Sequence, residues 1–255
     1  MSNARMSASG WFGSVAVALA FVALWWAASH GGWISRVFLP TPEATAASLE
    51  EGLAGGELWA FTLATTLRMA KGWVLASAVG VGLGALIGVS AAARAYLQPT
   101  LEFVRPLPAS ALLPLAIAVF GLNPAMVLSV VVFGAVWPVL LATIHGFAAV
   151  EPRLDEVSRC LQLGRWAFVF KIGLPNALPD ILAGMRLSLT VSLIVSVVGE
   201  MIASQPGLGQ AILLAARAFR ASELFAGIVL LGLIGLASNA LLSLAERRLL
   251  KWQAN

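Results

Sequence analysis

Hydrophobic positions along this chain gather into windows about as long as a bilayer is thick, each bounded by charge, Pro or Gly. A helix crossing about 30 Å of hydrocarbon needs about 20 mostly apolar residues. Six windows meet or approach that length: residues 11–29, 72–93, 107–121, 125–145, 181–203 and 224–245. The pattern predicts an all-α polytopic membrane protein with about six transmembrane helices. The window 11–29 is long for the apolar core of a cleavable signal and more membrane helices follow it, so it is read as a retained span. Residues 107–136 are divided at Gly121, Leu122, Asn123 and Pro124, the one turn signal inside that stretch. The first half carries Pro108 and Pro114 and is short, so it is either a short crossing or a broken, re-entrant segment.

Composition sharpens this reading. Hydrophobic residues make up 60% of the 255 and charged ones 11%, against about half and about one quarter in soluble domains. That leaves too little charge to solvate a water-facing surface, which excludes soluble enzymes and nucleic-acid binders. The single cysteine, Cys160, and the two histidines, His30 and His145, provide neither a disulfide framework nor a metal site. Inside the second window, Gly80, Gly84 and Gly88 recur every four residues, the spacing at which small residues let another membrane helix approach closely.

An even number of spans puts both termini on one side, and positive charge says which. On the side of the termini lie Arg5, Arg94, Arg105, Arg153, Arg159, Arg165, Lys171, Arg247, Arg248 and Lys251; the other side has Arg36, Arg68, Lys71, Arg217 and Arg220, and Arg186 falls inside a span. Residues 1–10 and 246–255 are therefore expected to be cytoplasmic tails on the transmembrane domain 11–245, in a multi-pass protein of a bacterial inner membrane. Arg68 and Lys71 are read as outer interfacial anchors before the second span.

The largest cytoplasmic connection is then 146–180. Pro152 near its start and Gly164 after its periodic part predict a short helix over about 153–163. Leu154, Val157 and Leu161 fall on one face, with Asp155, Glu156 and Arg159 elsewhere. Beyond Gly164 come Arg165, Trp166, Phe168, Phe170 and Lys171, then Pro175 and Pro179, which are expected to interrupt any helix before Asp180 caps the next span. On composition alone the loop either lies on the inner leaflet or docks a soluble partner.

The order Glu156, Leu161, Arg165, Trp166, Leu174 and Pro175 resembles the EAA loop of binding-protein-dependent ABC importer permeases. Arg105–Pro108 with Leu113–Leu115 and Phe120–Leu122 is similar to the middle of the permeases of the nitrate, sulfonate and taurine group. Gly199–Met201, Gly207–Gly209, Phe225–Gly227 and Glu246–Trp252 are similar to that group's C-terminal third. The chain departs from the pattern at Val157 and Ser158, where the motif has alanines, and at Gln162, where it has glycine.

The resemblance implies a type I importer fold and a coupling helix seated in a groove of a separate ATPase. Leu154, Glu156, Val157, Leu161, Gly164, Arg165, Trp166 and Pro175 would make that contact, Glu156 pairing with a basic residue or remaining a solvated carboxylate. The chain has no G-x-x-x-x-G-K-[ST] loop, so ATP and its Mg are expected on the partner, and no cofactor on this chain. The family's pattern implies a second copy of the chain, two ATPase subunits, a periplasmic or lipoprotein solute-binding protein and surrounding lipid, with no nucleic acid. The solute implied is a small anion such as nitrate, a sulfonate or taurine.

Charges inside spans are candidates for the pathway. Arg186 and Glu200 are separated by about 21 Å along a helix, too far to pair directly. Arg186 either meets an anionic solute, seals the inner end or snorkels to the headgroups; Glu200 either belongs to an outer gate or binding-protein contact or is a hydrogen-bonded interface carboxylate. The competing function is a self-sufficient secondary transporter or channel, but such carriers place ionisable or interrupted helices near the midplane of repeated halves. A membrane enzyme lacks its motif, since neither G-x-S-x-G nor H-E-x-x-H occurs.

Overall fold

The computed structural model describes residues 8–32 and 34–251, and within its helices all side chains but those of residues 8–12, 14, 155, 159 and 165. Arg5, Trp252 and the outer parts of both expected tails lie outside the described residues. The helices are α1 (Ala8–His30), α2 (Pro42–Ala54), α3 (Glu57–Gly88), α4 (Ala91–Val104), α5 (Leu113–Phe120), α6 (Pro124–Ala148), α7 (Pro152–Cys160), α8 (Arg165–Phe168), α9 (Leu174–Ala203), α10 (Leu208–Arg217) and α11 (Ala221–Leu249). A 3₁₀ turn, Ala109–Leu112, leads into α5, and a π turn, Val169–Gly173, joins α8 to α9. No strand occurs among the described residues.

Among the described residues, four helical stretches are long and apolar enough to cross a membrane: Glu57–Gly88, Pro124–Ala148, Trp166–Ala203 and Ala221–Leu249. A fifth is the pair Ala91–Val104 and Ala109–Phe120, bent by 78° at the break between them. Thus the segment 107–121 is one arm of a broken or re-entrant element rather than a straight crossing. The described apolar part of α1, Val15–His30, is shorter than these, so among the described residues four or five spans are counted by length and composition against the six expected.

Contacts divide the chain into two compact units, one holding the chain up to Ala60 with Ala211–Leu230, the other Phe61–Gln210 with the chain from Leu231. In the first, Thr41 caps α2 by accepting from the Ala44 amide at 3.2 Å, with Pro42 in the first turn. The Trp25 indole donates to the Pro40 carbonyl at 2.9 Å and its ring stacks on Phe225. Trp26 donates to Glu43 at 2.9 Å. Backbone hydrogen bonding at Glu43, helped by Thr41 and Trp26, holds its carboxyl below the ordinary carboxylate range.

In the second unit α6 is the central post. Asn123 caps it, accepting from the Met126 amide at 2.9 Å, and Pro124 occupies the first turn, where its missing N–H costs nothing. The glycines of α3 lie along one side of α6. A β-carbon on Gly80 would stand 2.9 Å from Val139 Cβ, on Gly84 2.5 Å from Thr143 Cβ and on Gly88 2.6 Å from Phe147 Cβ. Both series step by four, so the side chains of Val139, Thr143 and Phe147 on α6 seat directly against the bare glycine backbone of α3. The other side of α6 meets α9: a β-carbon on Gly146 would stand 2.7 Å from Ala177 Cα, one on Gly184 would stand 2.7 Å from the Pro138 carbonyl oxygen, and the Ser188 hydroxyl donates to the Ala135 carbonyl at 2.6 Å.

Two expectations are corrected. The window 72–93 is the C-terminal part of a longer helix that begins at Glu57, so Arg68 and Lys71 lie within α3 rather than ahead of it. Nor do Pro175 and Pro179 interrupt the helix, and Asp180 lies inside α9 instead of capping a span. The π turn explains Pro175: the Leu174 amide bonds back to the Val169 carbonyl, five residues away, so Pro175 enters in the first turn of a fresh helix, where no amide is needed, while Pro179 is carried inside α9. The connection between the apolar helices is therefore 149–165.

Candidate functional site

The sequence of α7 begins with Pro152 and stops after Cys160 because the chain turns left-handed at Gln162, with φ of +49°. The Leu161 amide bonds to the Val157 carbonyl at 2.9 Å and the Leu163 amide to the Ser158 carbonyl at 3.0 Å. The second bond spans five residues, as in a Schellman cap. Gln162 thus occupies a conformation glycine adopts freely.

This short helix displays apolar surface. Leu154, Val157, Leu161 and Trp166 are all exposed, Leu161 at 65% and Trp166 at 71% of their full area. Trp166 stacks on Phe170, also exposed, with ring centroids 6.3 Å apart. Glu156 is exposed and has no ion-pair or hydrogen-bond partner among the described residues. Arg165 opens α8 by its backbone; its side chain lies outside the described ones. Gly164 is exposed, a β-carbon there would meet nothing within 4 Å, and the Phe168 amide bonds to its carbonyl at 2.9 Å.

The far end of this connection is fixed. The Asn176 amide donates to the Gly146 carbonyl at 3.0 Å, and the Phe147 ring covers Gly173, so closely that a β-carbon there would meet the ring. Phe147, Ala177 and Ile181 form a buried cluster, with Val81, Ala85 and Val169 packed against it. Helices α3, α6 and α9 therefore meet next to Pro175, while α7 stands out with its apolar face bare.

Of the two charges foreseen in the spans, Glu200 is wholly buried. One carboxylate oxygen pairs with the Arg68 guanidinium; the other accepts from Thr65 at 3.0 Å and from the Gly209 amide at 2.8 Å. Thr65 in turn accepts from the Leu208 amide at 2.9 Å, and Arg68 donates to the Pro206 carbonyl at 3.3 Å. A side chain at Gly207 would overlap the carboxylate. Sequence reasoning missed Thr65 and read Arg68 as an interfacial anchor instead of the partner of Glu200. Their i, i+3 spacing, which aims both at one face of a helix, was the available signal.

Arg186 pairs instead with Glu246 and donates to Ser243 at 3.2 Å, both on α11. The two sites are separate, as the helical rise between Arg186 and Glu200 requires.

A cavity of about 290 Å³ lies between the break after α4, α6 and α9. Its lining includes Arg105, Ser110, Trp137 and a strip of α9. None of these was foreseen as a site residue. The only sequence signal was Arg105 beside two prolines in a run of apolar residues.

Residues 80–252 match the family described as binding-protein-dependent transport system inner membrane component. A Bacillus subtilis protein named for aliphatic sulfonates transport, SsuC, is 33% identical over 244 residues, covering 96% of this chain and 88% of its own. A nitrate import permease, NrtB of Leptolyngbya laminosa, is 31% identical over 197 residues, 77% of this chain and 70% of its own. Among solved structures, one described as an amino acid ABC transporter with histidines superposes with a TM-score of 0.57 at 23% identity, covering 77% of this chain and 97% of that one. That likeness carries the fold.

Proposed function

The chain belongs to the family of binding-protein-dependent transport system inner membrane components, and from that premise we propose that it forms the translocation pathway of an ABC importer and takes its driving force through α7. The observation that carries this reading is the bare apolar face of α7 and α8, set beside the buried junction of α3, α6 and α9. A family of membrane permeases works with ATPase and solute-binding partners, and an exposed Leu154, Val157 and Leu161 on one face is what an ATPase groove would cover. Burying each such side chain contributes about 1.5–3 kcal/mol. Glu156, exposed and without an ion-pair or hydrogen-bond partner among the described residues, supplies a point for a basic residue to pair.

The lever works because its root does not give. Force on α7 reaches α6 through residues 149–151 and α9 through α8 and the π turn. Those two helices are joined at Gly146–Ala177, Asn176–Gly146 and Phe147–Gly173. A close-packed junction transmits displacement rather than absorbing it. Glu200 with Arg68, and Arg186 with Glu246, serve in this reading as ties that keep the moving helices in register, the first at the C-terminal end of α9 and the second toward its start.

The functional assembly is two copies of the chain, two ATPase subunits holding ATP and Mg, and a solute-binding protein, with termini and α7 in the cytoplasm. The names carried by the relatives support a small anion as solute. The test is capture of the ATPase subunit by the purified permease. Wild type binds it, whereas Leu161→Asp or Glu156→Lys weakens binding by about 30-fold or more, as loss of an interface anchor worth about 2 kcal/mol does. Undiminished capture by both variants overturns the reading.

A further inference from the structure

We propose that the groove between α9 and α11 is a water-lined wall of the pathway. Asn239, Ser243 and Glu246 of α11, with Thr190 and Arg186 of α9, form a polar seam inside the membrane that opens toward the end of the chain's spans bearing α7. The proposal rests on the transport reading above and names the surface of this chain that meets water within the bilayer.

Register builds the seam. A β-carbon on Gly235 would stand 3.4 Å from Leu193 Cδ2, and the Arg186 guanidinium donates to the Ser243 hydroxyl at 3.2 Å. These two contacts set α9 and α11 antiparallel. Asn239, midway between Gly235 and Ser243, is therefore level with Leu189 and Thr190, midway between Leu193 and Arg186. Asn239, Ser243 and Glu246 stand at i, i+4 and i+7, one face of α11, and Thr190 stands one turn beyond Arg186 on α9. The pairing of Arg186 with Glu246 continues the seam toward the end of α11.

The chain itself does not cover these groups. Thr190 and Asn239 are exposed, and the paired side chains of Arg186 and Glu246 remain 43% and 28% exposed. The Thr190 hydroxyl reaches only the Arg186 carbonyl, at 3.5 Å, and the Asn239 amide has no hydrogen-bond partner among the described residues. Both helices belong to the stretches long and apolar enough to cross a membrane. Asn239 precedes Arg247 by eight residues, so it stands about 12 Å deeper along α11. Arg186 has a stem long enough to snorkel, whereas the headgroups are beyond the reach of so short a side chain as Asn239.

Hydrocarbon is the wrong neighbour for this surface. It would leave two N–H donors and a carbonyl of Asn239 without partners. Polar and ionisable groups within spans face protein or a water-filled cavity instead. A second copy packed on the seam would have to match every remaining donor and acceptor of five side chains, whereas water satisfies them without a fixed geometry. The seam also runs into Arg247 and Arg248, both exposed at the end of α11. Polar surface is thus continuous from Asn239 to the helix end, which is the form of a vestibule open on one side.

The test is thiol accessibility in the full chain. Cys160→Ser removes the single native cysteine, and Asn239→Cys, Thr190→Cys and Leu241→Cys are then introduced one at a time. Inside-out membrane vesicles are treated with a charged, membrane-impermeant methanethiosulfonate. Leu241 is 68% exposed but lies about 160° around α11 from Asn239, so it serves as the lipid-facing control. The reagent needs a hydrated thiolate, so Asn239→Cys and Thr190→Cys are each expected to react at least tenfold faster than Leu241→Cys. Two positions on different helices keep the test informative should one variant fold poorly. Rates at both no faster than that of Leu241→Cys overturn the proposal, and a disulfide joining two copies of the Asn239→Cys protein on mild oxidation would then assign the seam to a dimer contact. ATPase-subunit capture on the same vesicles separates the two readings: capture with an unreactive seam removes this wall alone, and failed capture removes the transport reading beneath it.

Discussion

Arg68 of α3 and Glu200 of α9, 132 residues apart in the chain, form an ion pair whose carboxylate has no exposed surface and whose guanidinium side chain is 12% exposed. Thr65 and the Gly209 amide take the second carboxylate oxygen, so desolvation of the acid is compensated by three donors rather than one. Breaking such a pair from one side leaves a buried charge uncompensated, which costs about 3–5 kcal/mol. Arg68→Met is therefore expected to lower the unfolding temperature strongly, and Arg68→Met with Glu200→Gln to recover at least half of that loss. Thermal unfolding of the three proteins in one detergent checks this; equal stability of wild type and Arg68→Met would contradict it.

The pair of Arg186 with Glu246 differs in kind. Its side chains are 43% and 28% exposed, so solvent screens the attraction, and Glu246→Gln is expected to cost no more than about 1 kcal/mol. The same unfolding measurement reads it, and a loss as large as that of Arg68→Met would show the two ties to be equivalent.

Glycines of α3 separate into those that touch α6 and one that does not. A β-carbon on Gly84 would stand 2.5 Å from Thr143 Cβ and 3.0 Å from the Leu140 carbonyl, whereas on Gly82 it would meet nothing within 4 Å. Gly84→Ala is expected to destabilise by about 1–3 kcal/mol, because two helices must part. Gly82→Ala is expected to be neutral or to stabilise by up to about 1 kcal/mol through helix propensity. Comparable effects at the two positions would falsify the packing register.

Gln162 holds a φ of +49° at the end of α7, where a side chain costs about 1 kcal/mol that glycine avoids. Gln162→Gly is expected to slow hydrogen exchange of the Leu161 and Leu163 amides, whose bonds close the turn. Faster exchange in the variant would mean that the glutamine side chain itself stabilises the turn.

Much of the fold can be read in the chain because hydropathy windows and small-residue spacing are local properties. The four-residue glycine step and the start of α7 at Pro152 needed no knowledge of distant residues, whereas the helix stops at Cys160, short of the expected 163, because the chain turns left-handed at Gln162 rather than at Gly164. What escaped was non-local. The start of α3 is hidden because Thr65 and Arg68 make that stretch polar, and their compensation, Glu200, stands on another helix. The start of α9 at Pro175 depends on a π turn that makes its missing amide a first-turn vacancy, a device without a composition signal. The cavity at Arg105 needs three elements brought together, and Val191 to Val198 look like any other apolar helix face until the break is placed against them.

Cys160, the chain's single cysteine, stands exposed at the end of α7 and reports on the central claim, that this helix faces the cytoplasm and is covered by a separate ATPase. Labelling it with a membrane-impermeant maleimide in oriented vesicles measures both points at once. The account predicts modification in inside-out but not right-side-out vesicles, and slowing of that modification when the ATPase subunit is bound. Modification from the outside, or a rate indifferent to the bound ATPase, would contradict it.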